Sequence, residues 1–498
     1  MQLDFRPSQK SGGFVRDPHA AGQQAEARAN GCLKRRAGPK RLLLLLAACV
    51  VVPVCQGNAA ESSAKPNLIV LVADDLGYAD VGFNGGKTIA TPNLDRLAAT
   101  GIKLTDFRAA PMCSPTRAGL LTGRWPLRFG MMRSVVPPWS RYGLPPEEKT
   151  LPELLAPAGY EPRGIVGKWH LGHARREFLP LNHGFTLFYG HYNGAIDYFT
   201  HEREGELDWH RQDRSLHEEG YSTDLLGADA VKFIRDAPTI KPWLLYVPFN
   251  APHAPFQAKA EDLKKYAGLK PPNRAYAAMV DSMDQAIGRI LAAVEARADA
   301  DNTLILFFSD NGGVAKVGSN HPFRGFKLTV YEGGTRVCAA IRWPQGGLTG
   351  GKRFAERIGY IDVLPTLLAA AEVTAPKNLD GINFLPALRG ESELPERPWF
   401  SYMHQNDKAH ASVHLGRWKL VAHGDFFAAN PLTPPEFELY DLAADLAEQH
   451  DVAAKNPELV LQLSKQLREF GAWQKPGVGA YDEGQAGFKA PKDWIIPD

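Results

Sequence analysis

The chain has 498 residues, 44% of them hydrophobic and 22% charged, the ordinary balance of a globular protein with length for one large domain and a smaller one. Its formal charge of +2 comes from the first 41 residues, which hold nine Lys/Arg and three Asp/Glu. The rest carries 48 basic and 52 acidic residues, a net of −4, which excludes a polybasic nucleic-acid binder.

The predicted elements begin with a leader. Lys34-Arg35-Arg36 and Lys40-Arg41 precede an unbroken apolar run from Leu42 to Val52, and the small residues Gly57, Ala59 and Ala60 follow. A basic segment, a short apolar segment and small residues are the parts of an export signal, here assigned to residues 1–60. The run is too short for a stable membrane span. Of the five cysteines, Cys32, Cys49 and Cys55 lie in this leader, which leaves Cys113 and Cys338 and predicts no structural disulfide. No Asn-x-Ser/Thr acceptor occurs, which favours a bacterial periplasm or a secreted bacterial protein over a eukaryotic secretory one.

Asn67 to Val72 is β-branched and leucine-rich and reads as a buried strand that delivers Asp74-Asp75-Leu76-Gly77 into a loop. Adjacent carboxylates repel unless a cation lies between them. Thr91-Pro92 opens a helix through Leu94, Leu97 and Ala98 that stops at Gly101. Cys113-Ser114-Pro115-Thr116-Arg117 then predicts a helix with the cysteine at its N-terminal end, ended by Thr122-Gly123. Free N–H groups make such an end an anion site, and Arg117 adds charge one turn along.

Leu151 to Leu155 reads as a short helix, and Gly164 to Val166 as a strand ending in Gly167-Lys168-Trp169-His170. In extended chain Lys168 and His170 face the same way, suited to oxyanion contact and proton transfer. Residues 190–222 lack periodicity and read as a long loop over the site. Thr223 to Ile234 is a helix, Trp243 to Phe249 a strand leading to His253, and Met279 to Val294 an amphipathic helix with core methionines. Thr303 to Phe308 is a further strand, ending in Asp310-Asn311, hard oxygen ligands for calcium or magnesium. Lys327 offers another cation. After Pro365 the pattern changes: a helix at Leu367 to Ala371, a linker at Pro395 to Pro398, strands at Val413 to Val421 and Phe437 to Tyr440, and a helix from Leu459 to Phe470. The expected division is a leader at 1–60, a catalytic domain at 61–385 and an α+β subdomain at 386–498.

Cys113 to Gly123, with Asp74 to Gly77, Gly167 to Gly172, Asn250 to Pro255, Ser309 to Gly313 and Arg324 to Gly334, resembles the type I, formylglycine-dependent sulfatases, of arylsulfatase type. Phe326 departs from the family, where glycine is common. The resemblance implies an α/β, alkaline-phosphatase-like mixed sheet sandwiched by helices. It implies hydrolysis of aryl or carbohydrate sulfate monoesters, with sulfate and an alcohol released. A formylglycine-generating enzyme would act as maturation partner, oxidising Cys113 to Cα-formylglycine. One divalent ion, usually Ca2+ with Mg2+ as the alternative, would be held by Asp74, Asp75, Asp310 and Asn311 and completed by residue 113. Lys168, Lys327 and His253 would clamp the sulfate, Arg117 would hold the aldehyde hydrate, and His170 would expel sulfate. Two readings rival it: a phosphomonoesterase or phosphodiesterase of the same fold, which typically carries ligands for two ions where this sequence offers one carboxylate-rich set, and a non-catalytic binder of sulfated glycans in which Cys113 stays a thiol, against which the full set of candidate ligands and bases argues.

Overall fold

Strand-forming runs separated by helices build a ten-stranded mixed sheet with helices on both faces. In the computed structural model the described residues are 65–496, apart from 406–407, 425, 428–434, 480 and 482–484. The proposed leader, with its three cysteines, lies outside them.

Five parallel strands form the centre, in the spatial order Thr303–Ser309, Asn67–Ala73, Leu244–Pro248, Arg163–Lys168 and Leu187–His191. Leu68 stands level with Leu244 on one side and Leu304 on the other. Alternation along the Asn67–Ala73 strand explains the layering. Leu68, Val70 and Val72 pack with the helices Cys113–Thr122 and Tyr360–Ala370. Ile69, Leu71 and Ala73 pack with Pro92–Thr100, Ser222–Asp236 and Asn273–Glu295. Both sides are buried, so the run is continuously apolar. Truncating Leu71, which has no exposed surface, to alanine costs about 2–5 kcal/mol. Because the five strands are parallel, their carboxyl ends open on one edge, where ligands of open α/β sheets bind.

A second, antiparallel sheet of Trp399–Gln405, Lys408–Leu415, Trp418–His423 and Glu436–Asp441 makes the C-terminal subdomain. One side carries the helix Pro457–Gly471 through Leu463, Leu467 and Phe470. On the other, Met403, Val421 and Tyr440 share a core with Met112 and Cys113.

Several expectations change. The stretch Val413 to Val421 is a hairpin, not one strand: Gly416, with φ +56°, turns the chain between Leu415 and Trp418. The strands Leu187–His191, Ala339–Arg342 and Trp399–Gln405 were not legible as strands. Residues 190–222 are not one loop; they hold two small hairpins, Glu202–Arg203 with Glu206–Leu207 and His210–Arg211 with Arg214–Ser215. The helix expected at Leu367 begins at Tyr360 and runs through Pro365. Among the described residues no helix is long and apolar enough to cross a membrane.

Candidate active site

The helix Cys113–Thr122 starts at the cysteine and ends at Gly123, whose φ of +66° is the left-handed cap that glycine allows. Every residue of this helix is buried, and its polar side chains each take a partner. Ser114 Oγ donates to the His170 carbonyl at 2.9 Å and accepts from the Val136 amide at 3.0 Å. Thr116 Oγ1 donates to the Asp310 carbonyl at 2.6 Å. Arg117 donates through Nε and Nη2 to Asp310 Oδ2, at 3.1 and 2.8 Å, and through Nη1 to the Lys168 carbonyl at 3.2 Å. The motif therefore ties the helix to two strand ends at once.

Cys113 Sγ lies 3.3 Å from Asp74 Oδ1 and 3.5 Å from Asn311 Oδ1. Asp74 Oδ2 accepts from Lys168 Nζ at 2.5 Å. Asp75 Oδ1 accepts from Asn311 Nδ2 at 2.8 Å, and Lys327 Nζ lies 2.9 Å from its Oδ2. The Asp75 amide donates to Asp310 Oδ1 at 3.3 Å. His253 Nε2 stands 3.7 Å from Asp75 Oδ2, and its Nδ1 donates to the Ala254 carbonyl at 2.6 Å. Thus Asp74, Asp75, Cys113, Lys168, His253, Asp310, Asn311 and Lys327 converge as the sequence leads one to expect.

One detail differs. Lys168 and His170 do not share a direction through extended chain, because His170 turns into the left-handed region at φ +55°. His170 Nε2 reaches the Val136 carbonyl at 3.0 Å, while its Nδ1 is buried without a partner. A carbonyl only accepts, so the hydrogen sits on Nε2 and Nδ1 keeps a free lone pair. Burial, with Lys168 and Arg117 nearby, holds this ring neutral well below the ordinary histidine value.

The other groups are tuned by the same crowding. Burial and the Asp310 and Asp74 carboxylates push the Cys113 thiol well up, so it is protonated. Burial alone would raise Asp75, but Lys327 and His253 outweigh it and hold the carboxyl below its usual range. Burial and Asp74 push Asp310 up to about 6. Burial opposes the charge on Lys327, yet Asp75 wins and raises its proton affinity. Burial and Lys327 lower His253.

Ligand atoms of Asp74, Asp75, Cys113 and His253 all lie within 4.8 Å of one another. Two buried carboxylates at one point, with the Asn311 amide oxygen beside Cys113 and a third carboxylate, Asp310, close by, are the hard donors that calcium or magnesium takes. Asp310 stands slightly back, with one oxygen on Arg117 and the other on the Asp75 amide.

A cavity of about 190 Å³ opens on Cys113, His170, His253 and Lys327, and Arg203, Gln405 and Tyr481 complete its polar lining. Arg203 falls in the stretch expected to lie over the site, whereas no motif pointed to Gln405, from a strand of the second sheet, or to Tyr481, from the segment after the helix Pro457–Gly471. Phe326 is 43% exposed and lies outside this lining. A larger cavity, about 390 Å³, between Phe188 and Phe233 is mostly apolar and contains none of the site residues.

A mixed sheet between helices, with a helix-borne side chain facing a carboxylate cluster at the strands' carboxyl edge, defines the alkaline-phosphatase-like class of ester-cleaving enzymes. Within that class the chain belongs to the sulfatase family and is a sulfuric ester hydrolase of type I. The family model described as Sulfatase matches residues 66–373, and that of the N-sulphoglucosamine sulphohydrolase C-terminal region matches residues 323–472. The chain is 37% identical to human N-acetylgalactosamine-6-sulfatase over 69% of this chain and 70% of that protein. It is 34% identical to human arylsulfatase A over 86% and 90%. Among solved structures, Ps i-CgsB shares 32% identity at a TM-score of 0.76, covering 84% of this chain and 95% of that one.

Proposed function

We propose that the enzyme hydrolyses sulfate monoesters of carbohydrates, with aryl sulfates as surrogate substrates, through a Cα-formylglycine made from Cys113 after synthesis. One observation carries this reading. Cys113, at a helix start in the maturation motif, faces Asp74 and Asn311 at hydrogen-bond range while Arg117 and Asp310 brace the helix behind it. The substrate class is supported by the names of N-acetylgalactosamine-6-sulfatase and by a Ps i-CgsB structure in complex with k-i-k-neocarrahexaose.

Asp74, Asp75, Asp310 and Asn311 would hold one divalent ion, calcium or magnesium, beside residue 113. When bound, that ion supplies positive charge to the sulfate oxygens. The chain's own groups account for the rest. The hydrated aldehyde presents two hydroxyls where the thiol stood. One loses its proton to a carboxylate such as Asp310 and attacks sulfur, and the bond from sulfur to the ester oxygen breaks. Lys168, Lys327 and His253 neutralise the equatorial oxygens. His253 or Lys327 gives the departing alcohol its proton; an entering anion raises the proton affinity of His253. His170 then takes the proton of the second hydroxyl at Nδ1, the bond to sulfate breaks, and the aldehyde is restored. Arg117 anchors the hydrate's helix.

Maturation needs a formylglycine-generating enzyme as partner. We further propose that residues 1–60 export the chain to a bacterial periplasm or the exterior, that residues 61–385 are the catalytic domain, and that residues 386–498 are its C-terminal subdomain. The test is a peptide mass spectrum across Cys113, paired with Cys113→Ala. The aldehyde form and loss of nitrophenyl sulfate hydrolysis are expected. Undiminished turnover in the alanine variant would end the reading.

A further inference from the structure

The cavity before Cys113 holds two sets of polar groups. Cys113, His170, His253 and Lys327 are assigned to the reacting sulfate ester. Arg203, Gln405 and Tyr481 line the same cavity and have no part in that chemistry.

All three offer donors. Gln405 Oε1 is taken by Ser134 Oγ at 3.3 Å, which leaves its amide N–H groups free to face a ligand. Tyr481 Oη accepts from Arg203 Nη2 at 3.3 Å, which leaves the hydroxyl proton to donate. Arg203 carries only donors, and its Nε is buried with no partner. An unpaired buried guanidinium donor is costly and asks for a reason. The adjacent Glu204 carboxylate lies 3.2 Å from Nη2 and leaves Nε unmet. Among the described residues lining the cavity, none is acidic.

Arg203 is also held from behind. Its carbonyl accepts from Trp494 Nε1 at 3.0 Å, and Glu206, across the hairpin, accepts from Lys492 Nζ and the Asp493 amide, each at 3.1 Å. Trp139 lies against Tyr481 with ring centroids 5.3 Å apart. The C-terminal segment thus fixes a hairpin arginine and an aromatic hydroxyl at the cavity, a restraint that ordinary surface arginines lack.

We propose that Arg203, with the Gln405 amide and the Tyr481 hydroxyl, binds a second anionic group on the sugar that carries the scissile sulfate. A second sulfate and a uronate carboxylate each present two anionic oxygens that a guanidinium grips with two hydrogen bonds. The proposal rests on the sulfate-ester reading above and narrows its substrate class to doubly charged sugars.

The test compares kcat/KM of the full-length mature enzyme on galactose monosulfate, galactose disulfate and galactose monosulfate joined to glucuronate, with nitrophenyl sulfate as a check on the chemistry. A doubly charged sugar should be preferred over the monosulfate by about 10–100-fold, the worth of one charge-assisted pair. Arg203→Gln should erase that ratio, mainly through KM, and Arg203→Lys should restore part of it. Preference for the disulfate identifies a second sulfate as the anion; preference for the glucuronate identifies a carboxylate. Turnover of all three sugars at equal kcat/KM overturns the subsite and leaves the sulfatase reading intact. So does a preference that survives Arg203→Gln. If none of the four compounds is hydrolysed by protein carrying the aldehyde, the sulfate-ester reading fails and takes the subsite with it.

Discussion

Gly194 lies against the imidazole of His170 so closely that a Cβ on it would stand 2.4 Å from the ring's Cε1 and Nε2. The loop that carries Gly194 cannot retreat easily: Asp208 Oδ2 accepts from both the backbone and the side-chain nitrogen of Asn193, at 2.8 and 2.9 Å. Gly194→Ala should therefore push His170 off the Val136 carbonyl and lower turnover towards the level of His170→Ala, about 10²–10⁴-fold below wild type. Steady-state kinetics beside a thermal melt checks it; wild-type turnover in a folded Gly194→Ala protein would show that the contact does not position the ring.

The two histidines should fail at different stages. Without His170, one equivalent of alcohol should leave quickly and sulfate should stay on residue 113, because the lone pair at Nδ1 that starts its release is gone. Without His253 the first burst itself should slow, and more for poor leaving groups than for activated phenols. Rapid mixing with intact-protein mass spectrometry reads both, and equal accumulation of sulfated protein in the two variants would refute the division.

Removal of metal should be visible in stability as well as in turnover. An ion bound only by the folded state adds about 4 kcal/mol at a thousandfold excess over its dissociation constant. A chelator should lower the unfolding midpoint of wild type, and calcium titration should give one site. Asp310→Ala should lose that response and that calorimetric signal. Because Arg117 is fully buried against Asp310, the same variant should also unfold more easily, by about 3–5 kcal/mol. Two bound ions, or stoichiometric zinc, would count against the assignment.

Acid should weaken the fold through buried neutral histidines that are not among the proposed metal ligands. Burial lowers His183 to about 4 and His191 to about 3. Both folded values lie below the ordinary 6.5, so the unfolded chain binds more protons in between. Their stabilisation is present above about 6.5 and is lost as the pH falls towards those values, on the order of 2–4 kcal/mol each. His183 packs on Trp169 with centroids 5.6 Å apart. His183→Phe keeps the ring contact and cannot be protonated, so urea unfolding at pH 7 and pH 4.5 should show a smaller loss in this variant. An unchanged loss would mean that other groups set the acid limb.

Much of the site was legible because its residues stand where a local pattern breaks. Asp74, Lys168, His253 and Asp310 follow apolar runs, and Cys113 opens a helix whose stop is a Thr-Gly pair. Short or mixed strands were not legible: Leu187–His191 ends in Gly-His, and Trp399–Gln405 alternates too weakly to separate from its linker. The left-handed turn at His170 was hidden as well, since histidine gives no signal for it and the turn is imposed by backbone bonds to His191 and Tyr192.

The sequence by itself determined which chemistry is available: a cysteine at a helix start, paired carboxylates, two histidines and two lysines at element ends. Those assignments follow from steric and hydrogen-bonding rules that act within a few residues of chain. Only the tertiary structure decided what meets what. Cys113 reaches Asp74 across 39 positions and Asn311 across 198, and Arg203 reaches Tyr481 across 278. Such contacts depend on the order and register of the parallel strands and on the path of the C-terminal segment. These are set by burial of whole surfaces, so no local stretch of sequence encodes them.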